Sequence, residues 1–124
     1  MNFVLSDSCQ YFWPVTVTMP DPEKPGEFMD QTFKMLFEPE GSEAAEERQK
    51  AYDAAKTVAE YAAAEKNHLC AICKGWSDIV DDKGISVPFT AETFNTALQR
   101  VWFRRGVFTS YRESLSGEKA RLGN

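Results

Sequence analysis

Three aspartates lie close together in GWSDIVDDKGISVPFTAETF, residues 75–94. Carboxylates so near each other could bind Ca²⁺ or act as a pair in acid–base catalysis. The spacing of Asp78, Asp81 and Asp82 does not match a calcium-binding EF-hand loop, which also needs a Glu at its twelfth position. A catalytic pair stays open, although neighbouring aspartates in a turn are more often solvated than shifted in pKa. The segment favours a turn between two short strands, with Gly84 adopting a positive φ.

A second group of reactive residues occurs in HLCAICKGW, residues 68–76. His68, Cys70 and Cys73 could bind zinc, with Cys9 as a distant fourth ligand. One Cys-x-x-Cys pair is weak evidence for zinc, and an unpaired Cys behaves as a small apolar residue. We therefore predict no metal and no other cofactor, and a buried helix end formed by Leu69, Cys70, Ile72 and Cys73.

Catalysis finds little support elsewhere in the chain. His68 is the only histidine, and it cannot supply a convincing Ser or Cys triad. There is also no glycine-rich phosphate loop. The sequence therefore predicts a protein that is not an enzyme.

Length and composition indicate one folded domain. The chain has 124 residues, of which 43% are hydrophobic, and no apolar run approaches the roughly 20 residues that span a bilayer. The first residues lack the pattern of a secretory signal, and three cysteines without one indicate reduced thiols. We expect a soluble intracellular protein.

Charge is distributed unevenly along the chain, whose net charge is −5. Residues 1–47 contain ten acidic residues against Lys24 and Lys34, whereas residues 99–124 contain six basic residues against Glu113 and Glu118. An acidic chain is a poor non-specific ligand for nucleic acid. The asymmetry indicates either solvated surfaces or head-to-tail self-association, in which the basic end of one subunit meets the acidic end of the next.

Two strands are predicted in the N-terminal third of the chain. QYFWPVTVTM at 10–19 and FMDQTFKMLF at 28–37 both alternate with a period of two. Pro14 cannot donate a backbone hydrogen bond, which indicates an edge strand. The loop PDPEKPG between the strands predicts a β-hairpin with a long connection.

A long alanine-rich helix is predicted with Ser42 as its N-cap, because the segment after it contains no Gly or Pro until Gly75. One face of this helix carries small residues and an aromatic ring, and small residues suit close packing against a partner. We expect self-assembly or client binding at Tyr52, Ala55, Ala59 and Ala62.

The last part of the chain predicts a second short hairpin followed by two helices. Thr90 is a helix N-cap, with Phe89 and Phe94 at the positions of a hydrophobic staple. Gly106 suits the C-terminal end of that helix, and a further short helix stops at Gly117. The fold class is therefore α+β, with a single domain at 1–117 and a short charged C-terminal tail at 118–124.

Several motifs resemble tail assembly chaperones of long-tailed bacteriophages or prophages. The segment GWSDIVDDKGISVPF is similar to a hairpin pattern in that family, and PVTVTMP followed by TFKMLFEPE is similar to its opening strand pair. The end, SYRESLSGEKARLGN, is similar to its closing aromatic helix and charged tail. The residues that match the hairpin pattern are Gly75, Trp76, Val80, Asp82, Gly84, Val87, Pro88 and Phe89.

This resemblance implies a non-catalytic chaperone in the host bacterial cytoplasm. Such a protein keeps the tape-measure protein soluble and helps recruit tail-tube subunits. The implied partners are these two proteins and further copies of the chain, without nucleic acid or membrane. We further expect the basic end to contact an acidic partner surface through Arg104, Arg105 and Arg112. Two alternatives remain, a structural tail or head-completion protein of the virion and a small acidic inhibitor or regulator that mimics nucleic acid.

Overall fold

The computed structural model describes residues 1–117 and 119. These residues form four helices and a three-stranded antiparallel sheet, which confirms the α+β class. None of the helices described is long and apolar enough to cross a membrane. In chain order the elements are β1 (Tyr11–Pro20), β2 (Phe28–Phe37), α1 (Ser42–Ala54), α2 (Val58–Ile72), β3 (Cys73–Ser77), α3 (Ala91–Leu98) and α4 (Val101–Ser116).

The chain divides into two compact units. Unit 1 comprises Met1–Tyr11 and Phe37–Lys74, and unit 2 comprises Phe12–Leu36 together with the residues from Gly75 onward. A single domain over residues 1–117 stays a prediction. Most of the tail predicted at 118–124 lies outside the described residues.

Strands β1 and β2 form where the period-two pattern predicts them. The order β1-β2-β3 makes β1 an edge strand, as Pro14 indicated. In the loop between them, the N–H of Asp21 donates to the carbonyl of Glu27 over 2.9 Å. Buried side chains alternate along both strands, at Val15 and Val17 on β1 and at Phe33, Met35 and Phe37 on β2.

The prediction of one long alanine-rich helix was wrong, because the chain breaks between α1 and α2. Ala55 is extended at ψ 125°, and Thr57 becomes the N-cap of α2 by accepting the N–H of Glu60 at 3.1 Å. The N–H of Lys56 donates to Glu60 Oε2 at 2.7 Å. These side chains satisfy amide groups that a continuous helix would have bonded to its own carbonyls, which offsets the helix propensity of the alanines.

The second hairpin is reduced to a turn with one isolated bridge. Trp76, predicted in the first strand of this hairpin, belongs instead to β3 (Cys73–Ser77) beside β2, and the chain then turns at Asp78, whose φ is 68°. Only Val80 and Ser86 form a bridge across the turn. Gly84 has the expected positive φ, 79°. The turn prediction is confirmed, and the two-strand ladder is not, because the residues before Asp78 pair with β2.

The two C-terminal helices are confirmed, but their boundaries differ from the prediction. The first helix starts after the Thr90 N-cap as expected, and the rings of Phe89 and Phe94 lie 5.0 Å apart. It ends at Leu98 rather than near Gly106, and α4 then continues to Ser116 before Gly117 at φ 80°.

Gly106 lies inside α4 because it allows close approach to β1. A Cβ at this position would be 2.6 Å from the carbonyl oxygen of Thr16. Position 106 therefore requires glycine because it has no side chain. The backbone freedom of glycine, which a helix end would use, is not the reason.

Candidate binding groove

Unit 2 contains an open groove of about 690 Å³. Strands β1 and β2, the segment at 78–82 and the adjoining ends of α3 and α4 contribute its lining. The apolar lining residues are Val17, Met19, Phe33, Ile79, Val80, Ala97, Trp102 and Phe103. The polar and charged ones are Gln31, Thr32, Asp78, Asp81, Asp82 and Arg100.

The apolar part of the groove follows from strand alternation. Val17 and Met19 are two positions apart on β1 and therefore share a face of the sheet. Phe33 on β2 stacks on Phe103 of α4, with ring centroids 5.5 Å apart and planes at 5°. This stacked pair fixes one side of the groove.

Trp76 organises the segment that forms another side of the groove. Its ring makes edge contacts with Phe89, Phe94 and Phe103 at centroid distances of 5.1, 6.2 and 6.3 Å. Its indole Nε1–H donates to the carbonyl of Val87 over 2.8 Å. These contacts hold the chain from Val87 to Phe94 close to Trp76. The residues at 78–82, which lie between these two parts of the chain, line the groove.

The aspartates at the groove stabilise the local chain through hydrogen bonds and an ion pair. Asp81 Oδ1 accepts the N–H groups of Lys83 at 2.9 Å and Ile85 at 3.0 Å, and the N–H of Gly84 donates to the Asp81 carbonyl. Asp78 lies 3.8 Å from the ammonium of Lys34 in an exposed ion pair. The close spacing of these aspartates therefore reflects a turn, and the same turn supplies negative charge to the groove.

Arg100 supplies positive charge to the groove lining. It is the N-cap of α4, and its guanidinium lies 5.9 Å from the ring centroid of Trp102. The lining thus combines three carboxylates with one guanidinium beside an apolar surface. Such a surface can bind an apolar segment whose flanking charges are complementary.

The residues predicted to form one helix face, Tyr52, Ala55, Ala59 and Ala62, lie on two helices and at the break between them, and partner binding there stays a prediction. Tyr52 belongs to α1, Ala55 is the extended residue that ends it, and Ala59 and Ala62 lie on α2. The two alanines of α2 are exposed, whereas Tyr52 and Ala55 are half-buried. The helix break separates the residues that a continuous helix would have aligned.

Tyr52 instead takes part in a polar network within unit 1. Its hydroxyl lies 3.1 Å from His68 Nδ1, and its ring contacts that of Tyr61 at 5.2 Å. His68 Nε2 lies 3.8 Å from Glu40, whose carboxylate also accepts Arg48 Nε–H at 3.1 and 3.3 Å. The network links α1, α2 and the segment before α1.

Burial determines the proton affinities in this network. It raises the pKa of Tyr52 to about 12, with the charges of Glu65 and ionised Tyr61 adding to the effect. Burial also lowers the pKa of His68, although Glu40 opposes this change. A neutral imidazole between a tyrosine hydroxyl and a carboxylate forms a structural link between helices. The sequence suggested His68 only as a zinc ligand or a triad member, because nothing in it pairs His68 with Tyr52 or Glu40.

The three arginines predicted to contact an acidic partner surface have different environments. Arg104 Nη1 donates to the carbonyl of Leu98 at the end of α3, so this side chain is engaged within unit 2. Arg105 and Arg112 are exposed on α4. Their contact with an acidic partner surface stays a prediction, and Arg104 already bonds within its own chain.

Cys70 and Cys73 also lie in different environments. Cys73 is buried at the start of β3, and burial raises the pKa of its thiol, whereas Cys70 is exposed on α2. The buried helix end was predicted correctly for Leu69 and Ile72, but not for Cys70. Across the described part of the chain, no group of three or more His, Cys, Asp or Glu side chains could hold a metal ion.

Comparisons of the chain with protein-family models, curated proteins and solved structures gave no match. Functional inference therefore depends on the chemistry of the groove and on the sequence motifs.

Proposed function

We propose that this chain is a non-catalytic tail assembly chaperone of a long-tailed bacteriophage or prophage. Its client is the tape-measure protein, and the groove of unit 2 binds the apolar side of a helix in that client. By covering this apolar surface in the host cytoplasm, the chaperone keeps the client soluble until tail-tube subunits are recruited.

The observation that carries this proposal is the groove itself. It places the partly exposed side chains of Met19, Ile79 and Val80 beside exposed charged groups, a combination typical of surfaces that bind an amphipathic helix. Burying such apolar side chains contributes about 25 cal/mol per Å² of area removed from water. A groove of this size supports reversible binding, which an assembly factor needs in order to release its client.

The motif that resembles the chaperone family contributes to the same groove. Val80 and Asp82 line it directly. Trp76 and Val87 form the hydrogen bond that holds the segment in place, and Gly84 forms its turn. The resemblance and the groove therefore involve the same stretch of chain.

The first prediction is that Val80→Glu prevents client binding. Val80 lines the groove and is 55% exposed, so a glutamate there adds charge to the apolar surface without a large folding penalty. We expect the wild-type chain, co-expressed with the tape-measure protein, to keep it soluble and to be recovered with it in a pull-down. The Val80→Glu variant should lose at least about tenfold in recovery, equivalent to about 1.4 kcal/mol of binding free energy.

Ile85→Glu is a matched control. Ile85 belongs to the same turn and is 61% exposed, but it is not among the residues that line the groove. Its recovery should equal that of wild type. Equal loss in both variants, or retention in both, would contradict the groove assignment. A tape-measure protein that aggregates beside the wild-type chain would contradict the chaperone function, and detection of the chain in purified tails would favour a structural component.

A further inference from the structure

Helix α4 has a second patterned surface on the side away from its buried residues. The buried residues include Phe103 and Val107. At about 100° per residue, positions 101, 105, 108, 112 and 115 fall on the opposite side of the helix. Val101 is 49% exposed, Leu115 is 56% exposed, and Phe108 between them is half-buried. Apolar residues thus recur every seven positions on the solvent side.

Two arginines alternate with these apolar residues. Arg105 and Arg112 are both exposed and are also seven positions apart. The spacing of the five residues is 4-3-4-3, which is the spacing of residues that face a partner helix. We call this surface the α4 stripe, formed by Val101, Arg105, Phe108, Arg112 and Leu115.

Helix α1 has an exposed surface with the same spacing and the opposite charge. Ser42, Glu46, Gln49 and Asp53 follow a 4-3-4 pattern, and all four are exposed. None of the described residues of α1 is buried. We call this surface the α1 stripe.

We propose that the α1 stripe of one copy packs along the α4 stripe of a second copy. Glu46 and Asp53 are seven positions apart, as Arg105 and Arg112 are, and each interval measures ~10 Å along a helix. Both arginines can therefore meet a carboxylate at once. The neutral side chains of Ser42 and Gln49 lie at the positions that face the apolar residues of α4.

This contact explains the uneven charge of the chain as a self-association surface. It joins two different surfaces, so a pair of copies keeps one unused stripe of each kind and can bind further copies. Partly exposed ion pairs contribute modestly to affinity and are screened by salt, while burial of apolar area on the α4 stripe adds an apolar contribution. The contact leaves out the groove of unit 2 and does not depend on the proposed chaperone function.

The test is a charge exchange measured by sedimentation velocity at low salt over a range of protein concentrations. Wild type should form oligomers that weaken with added NaCl. Arg105→Glu with Arg112→Glu puts carboxylates on both stripes, and Glu46→Arg with Asp53→Arg puts arginines on both. Each double variant alone should associate at least about tenfold more weakly than wild type. An equimolar mixture of the two should associate again, because each stripe then meets one of opposite charge.

Lys66→Glu with Lys74→Glu is the matched control for the arginine double variant, since it makes the same change in net charge at exposed positions outside both stripes. This variant should associate as wild type does. Far-ultraviolet circular dichroism verifies that each variant is folded. A wild-type chain that stays monomeric, double variants that associate like wild type, or a mixture that stays monomeric would each overturn the proposal. Val80→Glu should leave association unchanged, which separates this surface from the client groove.

Discussion

Several residues whose chemistry first suggested a reactive site instead make hydrogen bonds that stabilise the fold. The Asp81 carboxylate accepts two backbone N–H groups within its turn. His68 accepts or donates a hydrogen bond with the Tyr52 hydroxyl, according to its tautomer. At the scale of single residues, these polar groups are thus explained by their hydrogen bonds, and the consequences for stability can be measured.

Gly106→Ala is expected to destabilise the protein by about 2 kcal/mol. Alanine would normally gain about 1 kcal/mol over glycine inside a helix. Here its Cβ would meet the Thr16 carbonyl at 2.6 Å, and backbone cannot move aside as a flexible side chain can. Urea denaturation followed by circular dichroism measures the change in unfolding free energy.

Gly41→Ala provides the comparison, because nothing lies within 4 Å of a Cβ built there and its φ is −71°. Its effect should stay within about 1 kcal/mol. A stabilising Gly106→Ala would show that α4 does not need this close approach.

Stability should decrease as the pH falls below about 6.5, in part through His68. Burial lowers its pKa in the folded state, so the unfolded chain binds the proton more tightly. The contribution of His68 is therefore fully present above the unfolded pKa of about 6.5 and is lost as the pH falls toward the folded pKa. The charged and titratable groups near the His68 imidazole are Glu40, Arg48, Tyr52 and Glu65.

The measurement is urea denaturation at pH 7.5, 6.5 and 5.5 for wild type and His68→Gln. The variant should lose less stability than wild type across this range, because its amide does not titrate. Identical slopes in the two proteins would mean that the network does not respond to protonation of His68.

At the scale of elements, the strands were predictable and the helix boundaries were not. Apolar and polar residues alternate along a half-buried strand, and this alternation is visible in the sequence. The predicted ends of β1 and β2 therefore lie within one residue of the observed ends. The alanine-rich segment has high helix propensity throughout and gives no equally direct boundary. Its break depends on Thr57 and Glu60, whose side chains bond to nearby amides.

Thr57→Ala should therefore cost about 1 kcal/mol in unfolding free energy, since the N-cap of α2 loses its hydrogen bond to Glu60. Ser42→Ala is the control. Ser42 is the first residue of α1, whose N-cap, Gly41, provides no side-chain hydrogen bond. Its replacement should change stability by no more than about 0.5 kcal/mol. If Ser42→Ala were the more costly change, the helix would begin as the sequence predicted, with Ser42 as its cap.

At the scale of the whole molecule, two surfaces have different chemistry and different proposed partners. The groove of unit 2 combines apolar side chains with a partly acidic edge, whereas the stripes on α1 and α4 carry opposite charges at equal spacing. The proposed chaperone function would use both a client site and a means of controlling self-association. The variants Val80→Glu and Arg105→Glu with Arg112→Glu test these surfaces independently.

The sequence by itself determined the α+β class, strands β1 and β2, the turn at Gly84 and the start of α3, because each depends on residues close together in the chain. The break after α1 also depends on nearby residues, but the high helix propensity of the alanines concealed it. Only the tertiary structure decided the pairing of β3 with β2 and the position of Gly106 inside α4. The groove and the Tyr52–His68 link also required it, since their members are far apart in sequence. Packing between distant segments selects among local conformations that propensity alone leaves nearly equal in free energy.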